Sequence, residues 1–260
     1  MIRPRFVVSG FGRTVMDSDE RAETPSVPRP SIDAWVYVAM AVLLPFVVVA
    51  QSAVAIPNEL PAVAITQLTR SLAEARAYPR NPWRDTPPIN ADGTVNGYVE
   101  ISRGDRRKWE FSMAANARAI DRMIPEQIGG SPVNYGFVPQ TISYDGDPFD
   151  VLVLGPPIAG GRTVRGVIVG LMLMEDEKGH DAKVVISPVT KGRPAYPLTE
   201  SDRTTIGDYF RRYKLFETDK FSTVPGWGSS ADGLAYVNVT HAFFQECQQV
   251  SGPTCRVALP

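Results

Sequence analysis

The sequence predicts an α+β chain, mainly β, in which a barrel or strongly bent sheet is followed by packed helices. Three observations carry this expectation. Apolar and polar residues alternate in two short runs between residues 95 and 111, and 167–174 and 182–186 read as further short strands set apart by polar turns. Towards the C-terminus the period changes to that of a helix: Ile206, Tyr209, Phe210, Tyr213 and Phe216 keep three- and four-residue spacing, as do Leu234, Val237, His241 and Phe244. Ahead of both parts stands a hydrophobic N-terminal leader, an apolar run at 34–50.

The leader reads AWVYVAMAVLLPFVVVA and contains no charge. It runs on to Ala53-Val54-Ala55, whose small residues at alternate positions suit a signal-peptidase site. The run is short for a membrane span and Pro45 interrupts it. A cleaved export signal is therefore preferred over an uncleaved anchor. Against it, the preceding 33 residues carry five arginines and five acids and lack the usual positive bias. The expected location is exported (periplasmic or secreted) or membrane-anchored, and cytoplasmic if the start codon is misplaced. Residues 1–55 are thus an extension with a signal-like or anchor-like segment at 34–55. Residues 56–79 are a lead-in, 80–250 the folded domain and 251–260 a tail.

Within the lead-in, Ile65, Leu68 and Leu72 have the spacing of a short helix. Residues 78–94 are rich in Pro, Asn and Asp and read as irregular. Gly97-Tyr98-Val99-Glu100-Ile101 alternates, Ser102-Arg103-Gly104-Asp105 turns, and Lys108-Trp109-Glu110-Phe111 alternates again. Period two puts Lys108 and Glu110 on one face. Residues 167–174 are apolar throughout, as in a buried strand. A charged turn at 175–181, centred on Lys178-Gly179, leads to the strand at 182–186. Ser229 or Ser230 is the expected N-cap of the last helix. Cys247 and Cys255 are the two cysteines of the chain, with Ser251-Gly252-Pro253 between them. In an oxidising compartment they suit a disulfide closing a small loop; the alternative is two unrelated thiols.

Lys and Arg total 27 against 28 Asp and Glu, a net charge of -1, which lacks the basic excess of a nucleic-acid binder. The two histidines, His180 and His241, lie far apart, so a histidine- or cysteine-based zinc site is not expected. Any metal would be held by oxygens, which favours magnesium, manganese or calcium. Three aspartates fall within six positions in Asp145-Gly146-Asp147-Pro148-Phe149-Asp150, and an apolar strand follows. Like charges so close repel unless a cation holds them. An EF-hand would need Asn or Asp, Gly and Glu where this loop has Phe149, Asp150 and Pro156, so that loop type is excluded. A solvated acidic turn is the plain alternative.

A second acidic pair, Asp176 and Asp181, flanks the Lys178-Gly179 turn. Asp181 and Lys183 share a strand face and alone would suggest a surface ion pair, as Lys108 and Glu110 alone would suggest a cross-strand one. Arg122, Asn134 and Tyr135 precede the acidic box, and Tyr213 and Lys214 follow it. Several carboxylates for metals, with cations and tyrosines for an anion, together match the needs of a polyphosphate substrate.

These blocks resemble the soluble inorganic pyrophosphatases of family I, whose signature is an Asp-x-Asp-Pro-x-Asp box. The resemblance includes the segment from Glu100 through Lys108 to Glu110, Asp121-Arg122, Asn134-Tyr135-Gly136 and the stretch from Asp176 to Lys183. Phe210, Tyr213-Lys214, Gly226-Trp227 and Asn81-Pro82-Trp83 extend it, in order, over about residues 80 to 245. It implies a small closed OB-like β-barrel with flanking α-helices, and a magnesium-dependent hydrolase (manganese or another divalent ion as substitute) that splits pyrophosphate into two phosphates. It implies Asp147 and Asp150 as catalytic, with Asp147 as general base, and Asp145, Asp150, Asp181, Asp176, Glu110 and Glu100 as metal ligands. Lys108, Arg122, Tyr135, Lys183, Tyr213 and Lys214 would bind the phosphates. No nucleic-acid partner is implied, and a membrane is met only through an uncleaved leader.

The chain departs from the family pattern at Ser131, where many members have tyrosine, at Ser102, which replaces a common proline, and in its leader. Bacterial members are often hexamers, but the leader and altered C-terminus leave homo-oligomerisation open. Two other functions stay in view: a non-catalytic phosphate- or metal-binding descendant, and a hydrolase of another phosphoanhydride.

Overall fold

The structure, a computed structural model, describes residues 54–250 and 252–259. The run at 34–50, and with it the export or anchor reading, lies outside the described residues. The order begins with β1 (Glu59–Pro61), α1 (Ala62–Arg76) and the one-turn α2 (Pro82–Asp85). Strands β2 (Val95–Ile101), β3 (Arg107–Ser112), β4 (Ala117–Met123), β5 (Asn134–Phe137) and β6 (Asp150–Val153) follow. Next come β7 (Thr163–Asp176), β8 (Gly179–His180), β9 (Lys183–Thr190) and β10 (Arg193–Pro194). Helix α3 (Glu200–Arg212), β11 (Ser222–Gly228), α4 (Ser230–Glu246) and β12 (Thr254–Arg256) complete it. The fold is mostly β with a few helices.

One sheet has the order β10-β9-β6-β5-β2-β7-β11, with β8 on β7. Strand β9 pairs with β7 as well as with β6, so the path β9-β6-β5-β2-β7 returns to β9. The β6–β9 pair is parallel. Strand β7 can serve several neighbours because it is 14 residues long and irregular: its register shifts between Ile168 and Gly170 against β9, and opposite Thr223 and Gly226 of β11. Such irregularities bend a strand and raise its twist. Strands β3 and β4 form a separate hairpin, and β1 pairs with β12.

Strand β2, where the sequence alternates, has all seven of its residues buried. Tyr98 packs into a core with Trp83 and Phe137, whereas Val99 packs into another with Phe149 and Val151. Both faces are covered, and Glu100 is carried inside with them. Strand β5 approaches β2 so closely that a Cβ on Gly136 would lie 1.8 Å from the Tyr98 carbonyl oxygen. Backbone cannot yield as a flexible side chain can. Gly136→Ala is therefore expected to cost about 3 kcal/mol or more in urea unfolding, and a loss below about 1 kcal/mol would refute the close-packing account.

The helices follow their caps. Thr199 with Asp202 and Ser229 with Asp232 form capping boxes at the starts of α3 and α4, the latter at the expected serine. Ile65, Leu68 and Leu72 are buried along α1, which is longer than its three spaced residues suggest. Phe216 is a correction: α3 ends at Arg212, and Phe216 is 60% exposed. Three-residue turns, Leu215 N–H to the Arg212 carbonyl and Glu217 N–H to that of Lys214, replace the helical period and tip Phe216 outward.

The segments on either side of the domain expected at 80–250 meet. Leu60 of β1 pairs opposite Cys255 of β12, and Cys255 is bonded to Cys247 at the end of α4. Leu60, Leu68, Phe243, Cys247 and Val257 share one core.

Candidate active site

Asp145 and Asp147 lie on the turn before β6. Gly146 between them has φ +93, a region that L side chains rarely enter. The turn is tied by the Ser143 N–H to the Asp147 carbonyl at 2.6 Å, the Gly146 N–H to the Ser143 carbonyl at 3.0 Å, and the Asp147 N–H to Asp145 Oδ1 at 3.0 Å. Pro148 fixes the exit, Phe149 is buried as an anchor, and Asp150 opens β6. Asp176 closes β7, Asp181 follows the β8 turn and Lys183 begins β9.

These elements bring the acids into one cleft, lined by Asp145, Asp147, Asp150, Asp176, Asp181 and Glu110 among others. The same cleft is lined by Lys108, Arg122, Tyr135, Tyr213 and Lys214. Residues more than 100 positions apart in sequence thus share one wall. Two anticipated residues are placed differently. Lys183 is not among the lining residues, and its side chain is 1% exposed. Glu100 lines an adjoining hollow together with Lys108, Glu110, Asp147 and Asp150, and accepts the Phe111 N–H at 2.6 Å. At Ser131, which also lines the cleft, the hydroxyl donates to the Val133 carbonyl at 2.6 Å.

The charges are interleaved. Lys183 Nζ lies 2.5 Å from Asp150 and 2.8 Å from Asp181. Lys214 Nζ is 2.7 Å from Asp176 and 2.8 Å from Glu177. Arg122 bridges Asp121 at 2.6 Å and Glu217 at 2.7 Å, and Lys108 meets Glu110 and, at 3.3 Å, Asp121. Lys178 is 3.3 Å from Asp145 and 3.7 Å from Asp147. Among the described residues no three acidic, histidine or cysteine side chains stand as a ready cage for one ion; Asp145, Asp147, Asp150, Asp176, Asp181 and Glu110 are each turned towards a cation instead.

Burial, then the charge of Asp145, pushes Asp147 up to about 7. Its side chain keeps 59% of its exposure, so water screens part of that effect. Burial also pushes Asp181 up to about 7; Lys183 pulls the other way, and Asp150 adds repulsion. Lys183 itself is held charged: burial opposes its charge, but Asp150 and Asp181 outweigh it. Burial holds the Glu100 carboxyl well above the usual carboxylate range, against the hydrogen bond from Phe111.

The donor set suits a hard cation. Every candidate ligand is a carboxylate oxygen, and the cleft carries more acidic charge than its shared lysines balance. Neither histidine lines it: His241 Nδ1 lies 2.6 Å from the Gln140 carbonyl oxygen and His180 lies 3.8 Å from Glu175. The sequence reasoning missed Lys178, Glu177, Lys220 and Glu217 as neighbours of the site. Lys178 had a signal, its place at the centre of the Asp176–Asp181 turn. Glu217 and Lys220 had none, because their turn reaches the cleft through tertiary packing.

A family model described as inorganic pyrophosphatase matches residues 97–245, more than half of the chain. The chain belongs to the inorganic pyrophosphatase family. Its similarity to the inorganic pyrophosphatase of Saccharolobus solfataricus is 35% identity over 154 residues, covering 56% of this chain and 89% of that protein. With the inorganic pyrophosphatase of Ralstonia nicotianae it is 37% over 158 residues, covering 57% and 86%. The crystal structure of the Thermus thermophilus inorganic pyrophosphatase superposes with a TM-score of 0.59 at 33% identity, covering 64% of this chain and 99% of that one. The acids and cations that line the cleft fall within the pyrophosphatase span, whereas α1 and β12 lie outside it.

Proposed function

We propose that this chain hydrolyses inorganic pyrophosphate to two phosphates in a magnesium-dependent reaction, with manganese or another divalent ion able to substitute. The observation that carries the proposal is the convergence on one cleft of Asp145, Asp147, Asp150, Asp176, Asp181 and Glu110 with Lys108, Arg122, Tyr135, Tyr213 and Lys214, from distant parts of the sequence. Asp145, Asp150 and Asp181, with Asp176, Glu110 and Glu100, would hold the metal ions. Bound there, magnesium supplies Lewis acidity and lowers the pKa of water.

The protein's own part is positioning and proton transfer, which is most of what phosphoryl transfer asks of a catalyst. Lys108, Arg122, Tyr213 and Lys214 grip phosphate oxygens through charge-assisted hydrogen bonds. Tyr135 donates its hydroxyl to the same group. Lys183 acts from below by fixing Asp150 and Asp181. Asp147 takes the proton of the attacking water. It is loosely held for that task, its nearest cation among the described residues being Lys178 at 3.7 Å.

The ring of pairings from β9 through β6, β5, β2 and β7 supports reading the sheet as a small closed OB-like barrel. The apolar run at 34–50 and the Cys247–Cys255 bridge support reading the protein as exported or anchored, with the catalytic domain at 80–250.

Phosphate release from pyrophosphate, with and without magnesium, tests the function. Release is expected with magnesium and its abolition in excess chelator. A folded protein that binds phosphate but releases none from pyrophosphate would be a binding descendant. Faster release from a nucleotide or tripolyphosphate would move the substrate to another phosphoanhydride.

A further inference from the structure

Resting on that metal-site reading, we propose that residues 57–76, paired with the C-terminal strand that the Cys247–Cys255 bridge ties to α4, position the acidic turn from outside the catalytic domain, with Gln67 and Tyr144 as the positioning residues. The turn that carries Asp145 and Asp147 leans on α1. A Cβ on Gly146 would stand 2.7 Å from Gln67 Cβ and 3.2 Å from Ala64 Cα, so the glycine is pressed against that helix. One residue before Asp145, the Tyr144 hydroxyl donates to the Pro57 carbonyl, and its ring meets Phe243 of α4 edge-on at 5.7 Å. The turn is therefore gripped at both Tyr144 and Gly146, by a segment that lies outside the span matched by the family model.

That segment is held in turn by the C-terminus. Leu60 pairs opposite Cys255, the Val257 N–H donates to the Asn58 carbonyl at 3.0 Å, and the Asn58 side chain donates back to the Val257 carbonyl at 3.0 Å. The disulfide ties this strand to the end of α4. Without it, β12 is a three-residue strand held by its pairing with β1, the Asn58–Val257 hydrogen bonds and the burial of Cys255 and Val257, and three-residue ladders are marginal by themselves. The chain of contacts runs from the bridge through β12 and β1 to α1, and from α1 to Gly146. Asp145, read as a metal ligand, and Asp147, read as the base beside it, need such support, because a loosely held ligand loses affinity even when it is present.

The test uses the full chain in three forms: native, Tyr144→Phe, and Cys247→Ser with Cys255→Ser. Amide hydrogen exchange is read at residues 144–150, and manganese binding is titrated by calorimetry with no substrate present. Loss of the Tyr144 hydroxyl is expected to speed exchange of the turn about fivefold and to weaken manganese binding about fivefold, the effect of one hydrogen bond. Removing the bridge should do the same or more. Manganese binding and turn exchange both within about twofold of native in both variants, with only the melting temperature lowered, would reduce the clamp to a stability device and overturn the proposal. Should the bridge-less variant fail to fold, Tyr144→Phe alone decides, since it keeps the ring and its packing. Neither readout uses turnover. A native protein that releases no phosphate from pyrophosphate defeats the proposed function, and a native protein that binds no manganese leaves the exchange rates to judge the clamp.

Discussion

Asp147→Asn is expected to lower turnover on pyrophosphate by about 10²-fold or more, the usual contribution of a positioned general base. The asparagine is nearly isosteric and can still fill its place on the turn, where the Asp147 N–H bonds to Asp145. What it cannot do is accept a proton. The loss should therefore appear in kcat at saturating magnesium, with KM little changed. The substitution also removes one negative charge beside Asp145, which relieves repulsion in the turn, so the fold should not suffer. Steady-state phosphate release together with circular dichroism checks both points. Near-normal turnover in a folded variant would take the base role away from Asp147.

Lys183→Met is expected to destabilise the protein by about 3 kcal/mol in urea unfolding, the lower end of what breaking a buried ion pair costs. Among the described residues Lys183 is the one cation paired with both Asp150 and Asp181, and it also lies 5.6 Å from the rings of Tyr135 and Phe210. Methionine fills the volume but leaves two carboxylates facing each other. The carboxylates keep some solvent contact, which holds the loss below that of a fully buried pair. Adding Asp181→Asn to Lys183→Met should restore part of the stability, because the two sites share one interaction. A loss below about 1 kcal/mol, or no recovery in the double variant, would show that the lysine is not the counter-charge described.

How much of this was legible in the sequence depends on the range of the contacts involved. The acidic turn was legible because its determinants are local: Gly146, Pro148 and three acids lie within six positions. The N-cap at Ser229 was legible for the same reason, since its partner Asp232 is three residues away. Strand β4 was not recognised, because Ala117 to Met123 alternates without a covered face and leaves Ile120 and Met123 exposed. The covering of both faces of β2 was hidden because the side chains packed on them, Trp83 and Phe137 on one and Phe149 and Val151 on the other, come from other segments of the chain. The support of Gly146 by Gln67 was invisible for a similar reason, the two residues being 79 positions apart in sequence. Lys183 showed its charge and its face but not its depth, which is set by Phe210 and Tyr135 arriving from elsewhere.

The pairing of β1 with β12 also sets an order of events during biosynthesis. Glu59 finds its partner Arg256 only 197 positions later. Until β12 is made, Leu60 of β1 and the apolar side of α1 with Leu68 lack the Cys247, Cys255 and Val257 side chains that share their core. Packing at this end of the protein is therefore completed only once β12 has been made, and until then it offers apolar surface to chaperones or to neighbouring nascent chains.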